Sequence, residues 1–537
     1  MFRAWLLVGA LFLSLGLGMP VSMPQVRAAA AVITVTTTAD GVVTDHLCSL
    51  REAVISANTD QAVGGCEAGS GADTIVLSPA LPVPATFVLD SVGAGEDGAM
   101  TGDLDIEGNV IIQGVGSDQT ILDGNGSDRV LEIRPGARAT VSGLTVKGGT
   151  PGGMLGGGGI LVDATAALAL TDSIMTGNTA VGGGGGIEVR GALTADHAVI
   201  VSNRGGGLLV DGGGATLTDV DIKSNTDGFG LRNQNQAYLA FERGEVRGNS
   251  AGGISNSTSR ALLRRLVIAD NLGSGVTNAG ATNTTVQIDL CVIEGNLATN
   301  GAGIANNGVG AVTEIAASTI VRNVAAVAGG GVFNNGILSM DTSLVAENRA
   351  QSGGGVDNFG GSLNLVNDTL SGNTASDNGG GIYNRGSAVL KHVTLAGNAA
   401  GGSETGGNIF NDEASMSIVN SIVALADIDG NCFNSAGSII SLGHNLDSGN
   451  ACGFAGSGDL IDTDPLLGPL HDNGGATLTH VLLSGSPAVD HADQAHCSPV
   501  DQRGISRPQA RGCDMGAYEA AAEPTFNRYF YLPMLMR

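Results

Sequence analysis

Gly329-Gly-Gly-Val-Phe-Asn334, Gly353-Gly-Gly-Val-Asp-Asn358, Gly379-Gly-Gly-Ile-Tyr-Asn384 and Gly406-Gly-Asn-Ile-Phe-Asn411 begin 24, 26 and 27 residues apart. A fixed period of this size is the mark of a stack of equal coils. A second series runs in phase with it: Asn178, Asn203, Asn225, Asn249, Asn271, Asn296, Asn323, Asn348, Asn373 and Asn398. Between the two series lie short apolar pieces such as Ile337-Leu-Ser-Met340 and Val393-Thr-Leu395, bounded by Gly, Asn, Asp and Ser. Pieces this short between turn residues read as strands, not helices. Roughly three fit in one coil. The expected fold class is all-β: a right-handed parallel β-helix of about 12 to 14 coils with capped ends, a rod ~60 Å long at ~4.8 Å per coil.

Period-2 alternation within Val332-Phe-Asn334 and its equivalents puts the aliphatic residue and the Asn on one side, facing in. The inward series is Asn233, Asn256, Asn278, Asn306, Asn334, Asn358, Asn384 and Asn411. A lone buried amide is costly, but amides stacked at the coil spacing can bond each to the next. The other Asn series is expected at left-handed turn positions, which Asn tolerates. The residue between aliphatic and Asn must face out. This places Phe333, Asp357, Tyr383 and Phe410 in one outward column, a candidate binding strip for an extended polymer, with Arg232, Ser255, Thr277 and Ala305 before them.

Bulk properties narrow the function. The chain has 537 residues and a formal net charge of -26, which argues against a nucleic-acid partner and against acidic polymers unless a metal intervenes. Residues 1–31 combine Arg3, an apolar run from Ala4 to Gly18 and Ala28-Ala-Ala30, the pattern of a secretory signal peptide. No later stretch reaches membrane-spanning length. Export permits disulfides, and Cys48 with Cys66, Cys432 with Cys452, and Cys497 with Cys513 are the simplest local pairs, leaving Cys291 alone.

Residues 32–72 hold a short strand and then Cys48-Ser-Leu-Arg-Glu-Ala53, with Ser49 as N-cap and Glu52 at N3 of a short amphipathic helix. This motif, with Ala57-Asn58 after it, resembles the bacterial CSLREA domain. Residues 73–425 form the coils. Their first strands, such as Val110-Ile-Ile-Gln-Gly114 and Thr120-Ile-Leu-Asp-Gly124, resemble pectin-lyase-like β-helices, and the Gly-rich repeats resemble those of polymorphic outer-membrane proteins. Past Asn420 the period fails. Residues 426–520, including Gly443-His-Asn-Leu446, Asp462-Thr-Asp-Pro465, Asp472-Asn-Gly-Gly475, Gly485-Ser-Pro-Ala-Val-Asp490 and Cys513-Asp-Met-Gly-Ala-Tyr-Glu519, resemble the bacterial choice-of-anchor Q domain. That resemblance implies a surface protein anchored by a variable C-terminal device, here residues 521–537.

Chemistry is sparse. Lyases and glycosidases on this fold use clustered carboxylates from adjacent coils, and the repeats seldom place two acids at one position; Asp219 with Asp221 is the best local pair. Asp459, Asp462, Asp464, Asp472, Asp490, Asp493, Asp501 and Asp514, with five of the eight His, crowd the C-terminal region and could hold a structural Ca²⁺, although turn capping accounts for most. No catalytic residue and no other cofactor is expected. The expected function is an exported, cell-surface scaffold or adhesin-like protein binding an extracellular polysaccharide or a cell-surface partner; the alternative is a polysaccharide lyase or glycoside hydrolase.

Overall fold

The computed structural model describes residues 30–521, apart from 78, 79, 94, 282, 403 and 427–429. Most of the expected signal peptide and the C-terminal device therefore lie outside the described residues. The chain forms a right-handed parallel β-helix with three faces. The first and second faces run together as a 28-stranded sheet, and the third is a 14-stranded sheet from Leu104–Ile106 to Cys432–Asn434, giving one strand for each of 14 coils. Register is strict: Leu168 faces Ala139 and Leu193, and Ile160 faces Leu131 and Ile187. The coils run past residue 425, since Ser438–Ser441 and Leu446–Asp447 still pair with the strands before them. A fourth short strip, Leu297–Asn300 to Ala399–Ala400, widens five of the later coils.

Each corner has its own chemistry. Between the first and second faces the chain turns through one left-handed residue, Asp172, His197, Asp219, Arg243 and Arg265 among them, at φ between 48° and 56°. In the later coils, after the left-handed Leu290, Ala317, Thr342 and Asn367, the next residue points inward and forms a ladder. Cys291 N–H donates to Ser318 Oγ (3.0 Å), Ser318 N–H to Ser343 Oγ (3.2 Å) and Ser343 N–H to Asp368 Oδ1 (2.8 Å). Cys291 thus stands at a serine position. Its thiol is buried, and burial pushes it up to about 11.

The second corner corrects an expectation. Asn178 to Asn398 are not the left-handed residues; those are the ones just before them, including Gly177, Ser202, Ser224, Asp270, Arg322 and Glu347. The asparagines themselves are fully buried. From Asn203 onward, each Oδ1 accepts the backbone N–H and the Nδ2 of the preceding coil's Asn, as Asn348 does from Asn323 at 2.9 and 3.0 Å. The ladder continues through Asn408 and Asn431 and ends on Asp447 Oδ1 (2.6 Å). At the third corner, Asn233 to Asn411 form the other ladder: each Nδ2 donates to the next Oδ1 at 2.7 to 3.1 Å, from Asn233→Asn256 to Asn411→Asn434.

The helix Leu50–Thr59 closes the N-terminal end. Ser49 Oγ accepts from Glu52 N–H (3.1 Å) and Glu52 Oε2 from Ser49 N–H (3.0 Å), a complete capping box. Leu50, Ala53 and Val54 enter the core, and Cys48 is bonded to Cys66. Asn58 Nδ2 donates to Asp105 O (2.7 Å), tying the helix to the first strand of the third face. Arg51 is fully buried.

Cys432 is bonded to Cys452 and Cys497 to Cys513. The C-terminal residues fold back along the second face. Ser371 Oγ meets His480 Nε2 (2.9 Å), Ala517 N–H donates to Thr394 Oγ1 (2.9 Å), and Asp493 N–H to Asn420 Oδ1 (2.7 Å).

Candidate functional site

The outward side of the third face changes character along the rod, because its strands are three or four residues long and only the second residue points fully away from the core. In coil order the column reads Asp105, Glu132, Leu161, Glu188, Leu209, Arg232, Ser255, Thr277, Ala305, Phe333, Asp357, Tyr383, Phe410 and Phe433. It begins acidic, becomes small in the middle and ends aromatic.

At the aromatic end the expected exposed strip is only partly exposed, with Phe333 and Tyr383 half-buried. Phe410 retains 7% of its surface and Asp357 none. The residue after each ladder Asn folds over the column: Phe359 stacks on Phe333 (ring centroids 5.6 Å), and the Arg385 guanidinium lies 4.2 Å from the Phe359 ring and 4.5 Å from that of Tyr383. Arg385 Nη2 also donates to both oxygens of Asp357 at 3.1 Å. Tyr383 O–H donates to Asp412 Oδ2 (2.9 Å), and Tyr383, Phe410 and Phe433 pack ring to ring at 5.2 and 5.4 Å. Apart from Arg385 Nε, which has no hydrogen-bond partner, the strip pairs its polar groups internally, as a cation–π and ion-pair stack. The turn glycines serve it. At Gly353 (φ 60°) a Cβ would sit 2.8 Å from Asp357 Cα.

Burial pushes the Asp357 carboxyl up to about 6 despite Arg385. The sign follows from proton counting: between the unfolded value near 3.9 and about 6, the folded protein holds a proton that the unfolded chain has released, so stability falls as pH rises through that window. Asp357→Asn is expected to remove about 3 kcal/mol of that fall, read as a flatter dependence of denaturation midpoint on pH between 4 and 7. An unchanged slope would refute it.

In the middle, Ser255, Thr277 and Ala305 leave room. A groove of about 680 Å³ opens beside Thr277, with Phe229, Leu272, Ser274, Asn300 and Asn307 in its walls. None of the residues lining it is charged. Leu272 and Leu297 at its rim are 60% and 48% exposed. Sequence reasoning named Thr277 only as a column member; the groove arises because the wall comes from the corner before the strand.

At the acidic end lies a cluster that sequence reasoning missed. Asp105 and Glu132 are direct register partners, so adjacent coils do place two acids at one position. The signal was present in Leu104-Asp-Ile106, Leu131-Glu-Ile133 and Ile187-Glu-Val189. Asp103 joins them, and one carboxylate oxygen from each of Asp103, Asp105 and Glu132 lies within 4.8 Å of the others. All three are buried. Arg129 Nη1 meets Asp103 Oδ2 (3.2 Å) and pairs with Glu132, and Arg134 pairs with the other Glu132 oxygen. Burial pushes Asp103 up to about 6; for Asp105 burial and then the Asp103 charge push to about 8.

Elsewhere, Asp219 pairs with Arg243 (2.9 Å) and Asp221 with Lys223 (2.9 Å) on an open face. The acids expected around a C-terminal Ca²⁺ are spent on local bonds: Asp459 accepts from Ser441 Oγ and Gly456 N–H, Asp490 from Gly512 N–H, and Asp501 pairs with Arg503. Among the described residues, no trio of ligand atoms forms in that segment.

Comparison with models of protein families and with curated proteins finds no match. Solved structures do match. The A-module of mannuronan C-5 epimerase AlgE4 from Azotobacter vinelandii is 12% identical over 78% of this chain and 98% of that one, with a TM-score of 0.38. Pectate lyase Pel9A is 10% identical over 91% and 96%, with a TM-score of 0.25. The surface protein and adhesin PfbA of Streptococcus pneumoniae is 9% identical over 75% and 97%, with a TM-score of 0.31. Likenesses at this level carry no argument about function.

Proposed function

We propose that this protein is an exported, cell-surface-associated β-helix scaffold of adhesin-like type that binds a neutral extracellular polysaccharide along its third face. The observation that supports this reading is the uncharged groove beside Thr277, on a face whose coils repeat at ~4.8 Å, close to the repeat of an extended sugar chain. Phe229 offers a ring for stacking, and Ser274, Asn300 and Asn307 offer hydrogen bonds. A net charge of -26 disfavours an acidic polymer. On this reading residues 1–31 direct export, the CSLREA-like segment caps the rod, and the choice-of-anchor Q-like segment with the tail ties it to the surface.

The lyase or hydrolase reading has one observation in its favour, the carboxylates Asp103, Asp105 and Glu132, which are the chemically apt groups. Their burial keeps a polymer from them, so the scaffold reading is preferred. Thr277→Trp is expected to fill the groove and lower affinity for neutral glycans at least tenfold while leaving the melting temperature within a degree or two, measured by glycan array and calorimetry. Unchanged binding would remove the groove from consideration. Unsaturated products or new reducing ends on incubation with glycans would establish the enzyme instead.

A further inference from the structure

We propose that Asp103, Asp105 and Glu132 bind a calcium ion that fastens the loop before the first strand of the third face to the second coil. All the candidate ligands are carboxylate oxygens, the donor type a hard cation selects over nitrogen- or sulfur-preferring metals. Oxygens within 4.8 Å of one another lie close enough to share one ion at calcium's bond lengths of about 2.3–2.6 Å, and calcium also tolerates an irregular ligand geometry.

Two further observations point the same way. Charge is unbalanced: among the described residues Asp103, Asp105, Asp128 and Glu132 are faced by Arg129 and Arg134, Arg134 is shared with Asp97 and Asp163 further out, and the nearby Arg51 is spent on Asp40 and backbone carbonyls. Arg129 and Arg134 engage Asp103 and Glu132, whereas Asp105 makes no ion pair within 4 Å among the described residues. Independently, Asp105 is fully buried; its Oδ2 accepts from Ala99 N–H (3.1 Å), and its Oδ1 has no hydrogen-bond partner. A buried carboxylate oxygen left without a donor is a costly arrangement that an ion would relieve.

The full chain, stripped with EDTA and titrated with CaCl₂ in a calorimeter, should bind one ion in this site with Kd of about 10⁻⁴ M, the range of extracellular calcium modules. Asp105→Asn should weaken that binding at least tenfold, and Asp219→Asn, in the exposed cluster with Asp196 and His197, should not. Hydrogen exchange supplies a readout that needs no variant: Ca²⁺ should increase protection of the amides between Ala99 and Glu107 in the wild-type protein. Absence of saturable binding would overturn the proposal and assign Oδ1 to a bound water. So would binding that survives Asp105→Asn, or protection that does not change.

Discussion

Asn348→Ala is expected to destabilise the protein by about 4 to 6 kcal/mol, far above the ±0.5 kcal/mol typical of a surface change. The side chain of Asn348 holds two neighbours at once. Its Oδ1 accepts from Asn323 N–H and Asn323 Nδ2, and its Nδ2 donates to Ile320 O (2.9 Å) and to Asn373 Oδ1 (3.0 Å). Truncation strands the buried Asn323 N–H, at a cost of about 1 to 3 kcal/mol, removes the bonds to Ile320 O and Asn373 Oδ1, and adds a cavity. Asn348→Asp should be worse, although it is isosteric. A carboxylate still accepts from Asn323 but turns its other oxygen, without a proton, on Ile320 O, and it does so as a buried charge. Because stability passes mainly between neighbouring coils, while the C-terminal residues brace the coils from Thr342 to Asn420, the weakened step should separate the melt into two transitions near the middle of the rod. Denaturant midpoints within 1 kcal/mol of wild type would mean that the ladder is filler.

How far the sequence could be read depends on which physical constraint each position reports. The coil period and the inward Asn of Val332-Phe-Asn334 follow from alternation alone, and alternation is insensitive to context. The second Asn series was misread because Asn suits two jobs. It tolerates positive φ and it can stack as an amide, and only the preceding residue distinguishes them. Where that residue is Gly177 or Gly248 the clue is plain, but Arg322 and Glu347 adopt the same conformation without advertising it. Cys291 looked solitary because a thiol replaces a hydroxyl in a ladder whose other members, Ser318 and Ser343, are too common to mark a pattern. For the outward column the direction of each side chain was readable and its exposure was not. Exposure depends on what the next corner brings back, and Phe359, Arg385 and Asp412 are brought back over Phe333, Asp357 and Tyr383.

Arg51→Met is expected to release the N-terminal cap, at a cost of about 3 to 5 kcal/mol confined to the first coils. Arg51 is the Arg of the Cys48-Ser-Leu-Arg-Glu-Ala53 motif, and its position explains why the motif needs a guanidinium. Nε and Nη2 donate to the two oxygens of Asp40 (2.7 and 3.1 Å), while Nη1 and Nη2 also reach Ala99 O (2.9 Å), Gly102 O (2.8 Å) and Asp103 O (3.3 Å). One planar fork with five donors can satisfy a carboxylate and three carbonyls together; an ammonium cannot, so Arg51→Lys should recover only part of the loss. Burial pushes the Asp40 carboxyl up, yet the Arg51 hydrogen bond, the Ser91 amide and the Arg51 charge outweigh it and hold Asp40 below its ordinary value. Its share of stability is accordingly present above the ordinary carboxylate range and lost as pH falls through the lowered value. In Arg51→Met that carboxylate keeps the Ser91 N–H (2.8 Å) but loses its counter-charge, and the double variant Asp40→Leu, Arg51→Met should be more stable than Arg51→Met alone. The loop that Arg51 grips is the one that carries Asp103 into the carboxylate cluster. Loss of the grip should therefore open Ala99 to Asp103 to proteolysis and hydrogen exchange before the rest of the rod unfolds. Uniform protection along the chain in Arg51→Met would show instead that the helix cap and the cluster loop are held independently.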